Sequence, residues 1–162
     1  MAKKSSAGTP ATAALISRGI DFTPHPYEHQ AGTASYGVEA ADALGVDTGR
    51  VFKTLLADAD GTLVVAVVPV SGQLDLKALS AAVGAKRASM ADPAIAERKT
   101  GYVVGGISPI GQKTRLRTVL DDSASAFPTI FVSGGRRGFD IELAPADLLE
   151  VTDGSVAAIS RS

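Results

Sequence analysis

Two dense apolar runs dominate the middle of the chain, residues 50–58 (RVFKTLLAD) and 62–70 (TLVVAVVPV), with only Ala59, Asp60 and Gly61 between them. Asp-Gly adopts the positive φ angles of a tight two-residue turn at little cost, so the spacing predicts an antiparallel hairpin. That pair limits the fold. A doubly wound parallel sheet places a helix between successive strands, and no Gly-x-Gly-x-x-Gly follows a strand here. With 162 residues, no linker and no internal repeat, the chain reads as one domain.

Helices alternate with these strands. Thr9-Pro10 has the form of an N-cap followed by Pro at the first helical position, with Ala14, Leu15 and Ile16 as the apolar stripe and Gly19 closing the helix. Residues 21–29 (DFTPHPYEH) read as extended, because each proline drives its predecessor out of the α region. A short helix is predicted from Tyr36 to Leu44, stopping at Gly45. Another follows in 72–86, capped by Asp75 and ended by Gly84, and a third opens at Asp92-Pro93. Residues 101–112 (GYVVGGISPIGQ) read as an apolar strand breaking into a Gly/Pro loop. Residues 127–145 read as strand, turn, strand, with the tight connection at Gly134-Gly135. The expected fold class is α/β: a single domain whose mixed, largely antiparallel sheet is curled and barrel-like, with short peripheral helices.

One residue breaks the apolar logic. Lys53 lies inside the first run, and burying an unpaired ammonium costs several kcal/mol. Either its stem snorkels to a strand edge or an anionic group meets it.

The remaining chemistry narrows quickly. The chain has no cysteine, hence no disulfide framework, thiolate metal site or cysteine nucleophile. His25 and His29 match His-x-x-Glu-His, but that motif binds zinc from a helix. On an extended segment the two Cα atoms are ~13 Å apart, too far for one ion. No metal or other cofactor is expected. There is no Gly-x-Ser-x-Gly elbow and no Walker loop, so any catalysis relies on positioning, backbone donors and a lysine. The polar N-terminus leads into no apolar segment of signal-peptide type, and Leu63–Val70 is far too short to span a bilayer. No membrane partner and a cytoplasmic location are therefore expected. The net charge of −1 alone argues against a nucleic-acid partner, and no DNA partner is expected, yet residues 72–139 hold ten basic groups against five acidic ones. Gathered on one face, that excess is a phosphate footprint; dispersed, it is ordinary solvated surface.

Four stretches together carry a resemblance: VFKTLL, PVSGQLDLKALSAAVGAK, MADPAIAERKTGYVVGGISPIGQK and TIFVSGGRRGFDIEL. They resemble the YbaK/EbsC family of free-standing Cys-tRNA(Pro) and Cys-tRNA(Cys) deacylases, related to the editing domain inserted in bacterial prolyl-tRNA synthetase. The likeness runs from about Thr9 to the end. It implies one editing domain over 9–162 behind a flexible extension, 1–8. It further implies trans-editing, in which a second site hydrolyses the ester of a mischarged tRNA that the synthetase's small pocket rejects weakly. An Ala-tRNA(Pro)-type or broader-specificity aminoacyl-tRNA deacylase and a non-catalytic tRNA- or synthetase-binding module are the alternatives.

The resemblance places the family's functional lysine on Lys53 and its hydroxyl or backbone donor on Thr54. Cleft aromatics fall on Tyr27 and Tyr36. The glycine-x-x-x-proline loop falls on Gly105, Gly106 and Pro109, where backbone N–H groups can face an ester oxygen. Ser133 and Asp140 stand near the substrate, Asp140 to pair with Lys53 or with the substrate's α-ammonium. Arg136, Arg137 and Lys113 suit tRNA phosphates. The implied partners are the acceptor end of tRNA(Pro) and, transiently, prolyl-tRNA synthetase. In the implied mechanism the substrate's own thiol attacks its ester.

Overall fold

A computed structural model describes residues 8–30 and 35–162. The proposed extension, apart from exposed Gly8, lies outside the described residues. The central hairpin forms as the Asp-Gly turn predicts. Strand β2 (Phe52–Ala59) pairs antiparallel with β3 (Thr62–Pro69), and Asp60 and Gly61 take φ 52° and 90°. Three further strands extend the pair into a five-stranded sheet ordered β5-β2-β3-β6-β9, where β5 is Ala88–Met90, β6 is Arg117–Asp121 and β9 is Ser155–Ala157. A second sheet is antiparallel, ordered β1-β8-β7, from β1 (Thr23–Pro26), β7 (Ile130–Arg136) and β8 (Phe139–Leu143). A two-stranded ribbon joins β4 (Gln73–Leu74) to β10 (Ser160–Arg161).

Three expectations need correction. Among the described residues no sheet closes or curls into a barrel: the strands lie in three separate sheets, and β6 pairs parallel with both β3 and β9. Residues 101–112 contain no strand. Gly101, Gly105 and Gly111 there take φ 81°, 89° and 71°, which a strand cannot absorb. The turn between β7 and β8 falls at Arg137-Gly138. Gly134 and Gly135 lie instead in a bulge, where the register jumps from Ser133↔Asp140 to Arg136↔Phe139.

Helices close the open faces. Their caps are the ones the sequence predicts: Thr9 for α1 (Pro10–Ser17), Asp75 for α3 (Leu76–Val83) and Asp92 for α4 (Pro93–Thr100). Helix α2 (Tyr36–Leu44) starts at Ser35 and ends at Gly45 with φ 68°. Helix α5 (Pro145–Thr152) follows β8. Of the stripe expected on α1, Leu15 is buried but Ile16 is exposed. The main core fills the space between the two larger sheets, with Phe52, Leu56, Val65 and Val67 facing Ile130, Val132, Phe139 and Ile141. A second core lies on the other face, where Leu79 of α3 covers Val64, Ala66 and Val68. Strand β3 is thus buried on both faces, which explains a continuous valine run where a one-sided strand would alternate.

At the C-terminal end of β6, buried Asp121 accepts from the backbone N–H groups of Ser123, Ile159 and Ser160 and ties down the C-terminal strand. Burial raises its pKa, but these hydrogen bonds outweigh burial and hold it below the ordinary carboxylate value. Its stabilisation is therefore present above the ordinary value and lost as the pH falls through the lower folded value. Asp121→Ala is expected to lower unfolding free energy by about 3 kcal/mol at neutral pH. In urea melts that deficit should shrink as the pH drops below the ordinary carboxylate value; an acid-independent deficit would contradict this role.

Candidate active site

Hydrogen-bond register determines where the site opens. The Val70 N–H donates to Val51 O, so odd-numbered residues of β2 bond β3, and Phe52, Thr54 and Leu56 aim their backbone groups at the opposite edge. Strand β5 covers that edge only beside Ala57, Asp58 and Ala59, and Ala91 N–H caps the carbonyl of Leu56. At the other end a parallel bridge joins Val51 to Phe131 of β7. Between these two closures the N–H and C=O of Thr54 have no strand partner among the described residues.

A cavity of about 300 Å³ straddles this gap and is lined from both faces of β2. One wall holds Tyr27, Tyr36, Lys53, Ser133 and Asp140; the other holds Phe52, Thr54, Leu56, Ala96 and Ile107. Lys53 is half-buried, and burial lowers the pKa of its ammonium. Asp140 is only 5% exposed, and burial pushes its carboxyl up to about 7. The ion pair between them does not form: among the described residues neither Lys53 nor Asp140 has a salt-bridge partner. Each therefore meets the cavity with its charge uncompensated.

The aromatics form the mouth. Tyr27 donates its N–H to Gly138 O, and burial, reinforced by the charges of Asp140 and Glu39, keeps its phenol protonated well above the usual range. Tyr36 opens α2; its ring lies beside His29, and the Arg137 guanidinium sits 5.2 Å above it. Arg137 also donates from Nε to Val104 O. Ser133 accepts from Gly135 N–H across the bulge.

The glycine pair works by close approach. A Cβ on Gly105 would stand 2.7 Å from the Tyr36 ring, and one on Gly106 would stand 2.7 Å from the Arg136 backbone. Gly105 thus lines the cavity, whereas Gly106 lies buried beneath the β7–β8 turn. Pro109 is not brought to this cavity; it lines a separate concavity with Arg18, Gly111 and Arg115. Arg136 is exposed over the Phe139 ring, and exposed Lys113 follows α4, its N–H on Thr100 O. The two histidines bind carboxylates, His25 to Glu142 and His29 to Glu39. Sequence reasoning did not single out Gly37, Ala96 or Ile107. Only Gly37 carried a signal, a glycine in the first turn of a helix, which lets α2 pack on Val70 with no room for a Cβ.

The sequence matches the family model of the aminoacyl-tRNA editing domain over residues 31–151. It is 45% identical over 121 residues, 74% of each chain, to an Enterococcus faecalis protein provisionally named Cys-tRNA(Pro)/Cys-tRNA(Cys) deacylase EbsC. Against the multifunctional Ser/Thr-tRNA deacylase ProXp-y of Escherichia coli it is 26% identical, over its whole length and 98% of that protein. A crystal structure described as a candidate trans-editing enzyme for prolyl-tRNA synthetase superimposes with a TM-score of 0.80 at 27% identity, covering 94% of this chain and 96% of that one.

Gly45 and Gly105 both hold positive φ, but a Cβ on Gly45 meets nothing within 4 Å. Gly45→Ala should therefore lose only backbone strain, about 1 kcal/mol, whereas Gly105→Ala should lose at least twice that and shift the Tyr36 ring resonances. Equal losses would remove the ring contact from the account.

Proposed function

Since this chain belongs to the aminoacyl-tRNA editing domain family and is an aminoacyl-tRNA deacylase, we propose that it clears cysteine from mischarged tRNA(Pro), and from tRNA(Cys), in trans. The observation that carries this reading is the pair of uncompensated charges, Lys53 and Asp140, lining one small cavity. The aminoacylated 3′ end supplies both complements: an α-ammonium for the Asp140 carboxylate, and a carbonyl oxygen or terminal phosphate for the Lys53 ammonium. Gly105 permits close approach of the ester, and Tyr27 and Tyr36 suit the terminal adenosine. A volume of about 300 Å³ suits a small amino acid and part of the nucleoside.

Cleavage follows from positioning. The cysteine sulfur attacks its own carbonyl carbon, a C–S bond forms, and the C–O bond to the ribose breaks. The thiol proton ends on the ribose oxygen, giving free tRNA and a cyclic thiolactone that water later opens. Lys53 favours the negative charge that grows on the carbonyl oxygen, and the cavity walls hold sulfur and carbon together. Arg136, Arg137 and Lys113 contact phosphates of the acceptor end. Transfer-RNA identity comes through a transient complex with prolyl-tRNA synthetase, in the cytoplasm. An Ala-tRNA(Pro) deacylase would use the same cavity without a thiol, so a panel of charged tRNAs separates the readings.

Lys53→Ala should slow Cys-tRNA(Pro) deacylation by about 10²-fold or more in single-turnover assays; wild-type rates would break the assignment. In the same assay wild-type enzyme should release cysteine much faster than serine or alanine, and equal rates would exclude thiol assistance. A second test uses pH. Asp140 carries its charge above about 7, so kcat/KM should rise through that pH and Asp140→Asn should lose the rise. Because the folded protein binds the extra proton, native Asp140 destabilises the fold increasingly as pH climbs from the ordinary carboxylate range toward 7. Asp140→Asn should therefore be the more stable protein at pH 8, and a less stable variant would contradict an unpaired carboxylate.

A further inference from the structure

The apolar wall of the cavity contains one polar side chain. By strand alternation Thr54 shares its face with Phe52 and Leu56, in the cluster that includes Ala96, with Ala91 and Ile107 packed against it. Its hydroxyl oxygen is sealed from water and, among the described residues, has no hydrogen-bond partner. Hydroxyls in strands commonly bond a neighbouring carbonyl, as Thr118 does with Leu116 O in β6. Thr54 does not, although it lines the cavity. An unpaired buried hydroxyl is a net cost to the folded state, and valine would fill the same volume in the same strand without it. A polar group kept at such a position calls for a partner that arrives from outside.

We propose that Thr54 is the specificity-determining residue of the cavity. Its hydroxyl reads the heteroatom on the β-carbon of the bound amino acid, a thiol or a hydroxyl, against alanine, which carries none. This rests on the aminoacyl-adenosine reading of the site given above and names the substrate class within it. The geometry separates two tasks on neighbouring residues of one strand. Lys53 and Asp140 face the groups common to every aminoacyl ester, the ammonium and the carbonyl. Thr54 lies on the opposite face of β2 and meets what differs between amino acids. Rotation about χ1 carries the hydroxyl oxygen into the place of the methyl and the methyl into that of the β-hydrogen, which is how the oxygen turns to the cavity. A site with a buried polar group rejects a ligand that cannot satisfy it more strongly than an apolar pocket rejects a ligand that merely differs in size.

The test measures binding, so that it does not depend on which ester reacts. The probes are adenosine analogues bearing cysteine, serine or alanine through a stable 3′-amide, titrated into the intact protein. Wild type is expected to bind the cysteine and serine amides about tenfold or more tighter than the alanine amide. Thr54→Val should erase that preference mainly by weakening the first two, and should melt no lower than wild type. Thr54→Ser, which keeps the hydroxyl, should retain the preference. A preference that survives in Thr54→Val overturns the proposal, as does its absence in wild type. A lowered melting temperature with all three amides weakened equally would make Thr54 a packing residue, also overturning it. If wild type binds none of the amides, the aminoacyl-adenosine reading itself fails and the role of Thr54 with it.

Discussion

The site depends on a length of strand edge left uncovered. Strand β2 is closed at one end by the bridge from Val51 to Phe131 and at the other by β5, and the gap between them falls at Thr54. Exposed edges invite other strands, and proteins usually blunt or cover them. Here α2 and the loop holding Gly105 stand over the gap without filling it, and the enclosed space becomes the cavity. Because successive side chains of a strand point to opposite faces, a cavity at an edge is reached by neighbours in sequence that share no wall. Lys53 and Thr54 can therefore do different work one residue apart.

The same gap explains the electrostatics. In a closed sheet Lys53 and Asp140 would each need a partner from the protein or would be lost to apolar side chains. At the edge each is half or almost wholly removed from water, has no counter-ion among the described residues, and is displaced in pKa by burial alone. Such a pair is unfavourable in the empty protein and favourable once a ligand with a cation and an anionic or carbonyl group enters. That difference between empty and filled states is the physical form of preorganisation.

Local chemistry was legible in the sequence; distant chemistry was not. Thr9, Asp75, Asp92, Gly45 and Gly84 marked helix ends correctly because capping depends on residues within one turn. Lys53 betrayed itself by standing in an apolar run, and burial with no partner makes it as anomalous in space as in sequence. The parallel pairing of β6 with β3 and β9 could not be read, since it joins segments far apart along the chain and leaves no turn signature. Gly134-Gly135 signalled a break in a strand but not its kind: a bulge and a turn ask the same of glycine, and Gly138 was available to make the turn. Pro109 stood near Gly105 in sequence, but the left-handed glycines between α4 and β6 fold the loop so that the two line different concavities.

The central claim is that Asp140 waits, uncompensated, for a cation carried by the substrate. Its side-chain carboxyl can be titrated by carbon NMR in the intact protein, with and without the stable cysteinyl-adenosine amide. The account predicts a free pKa of about 7 that falls toward or below the ordinary carboxylate range when the amide is bound, as an adjoining ammonium requires. A carboxyl that titrates at its ordinary value in the free protein, or whose pKa the amide leaves unmoved, would contradict it.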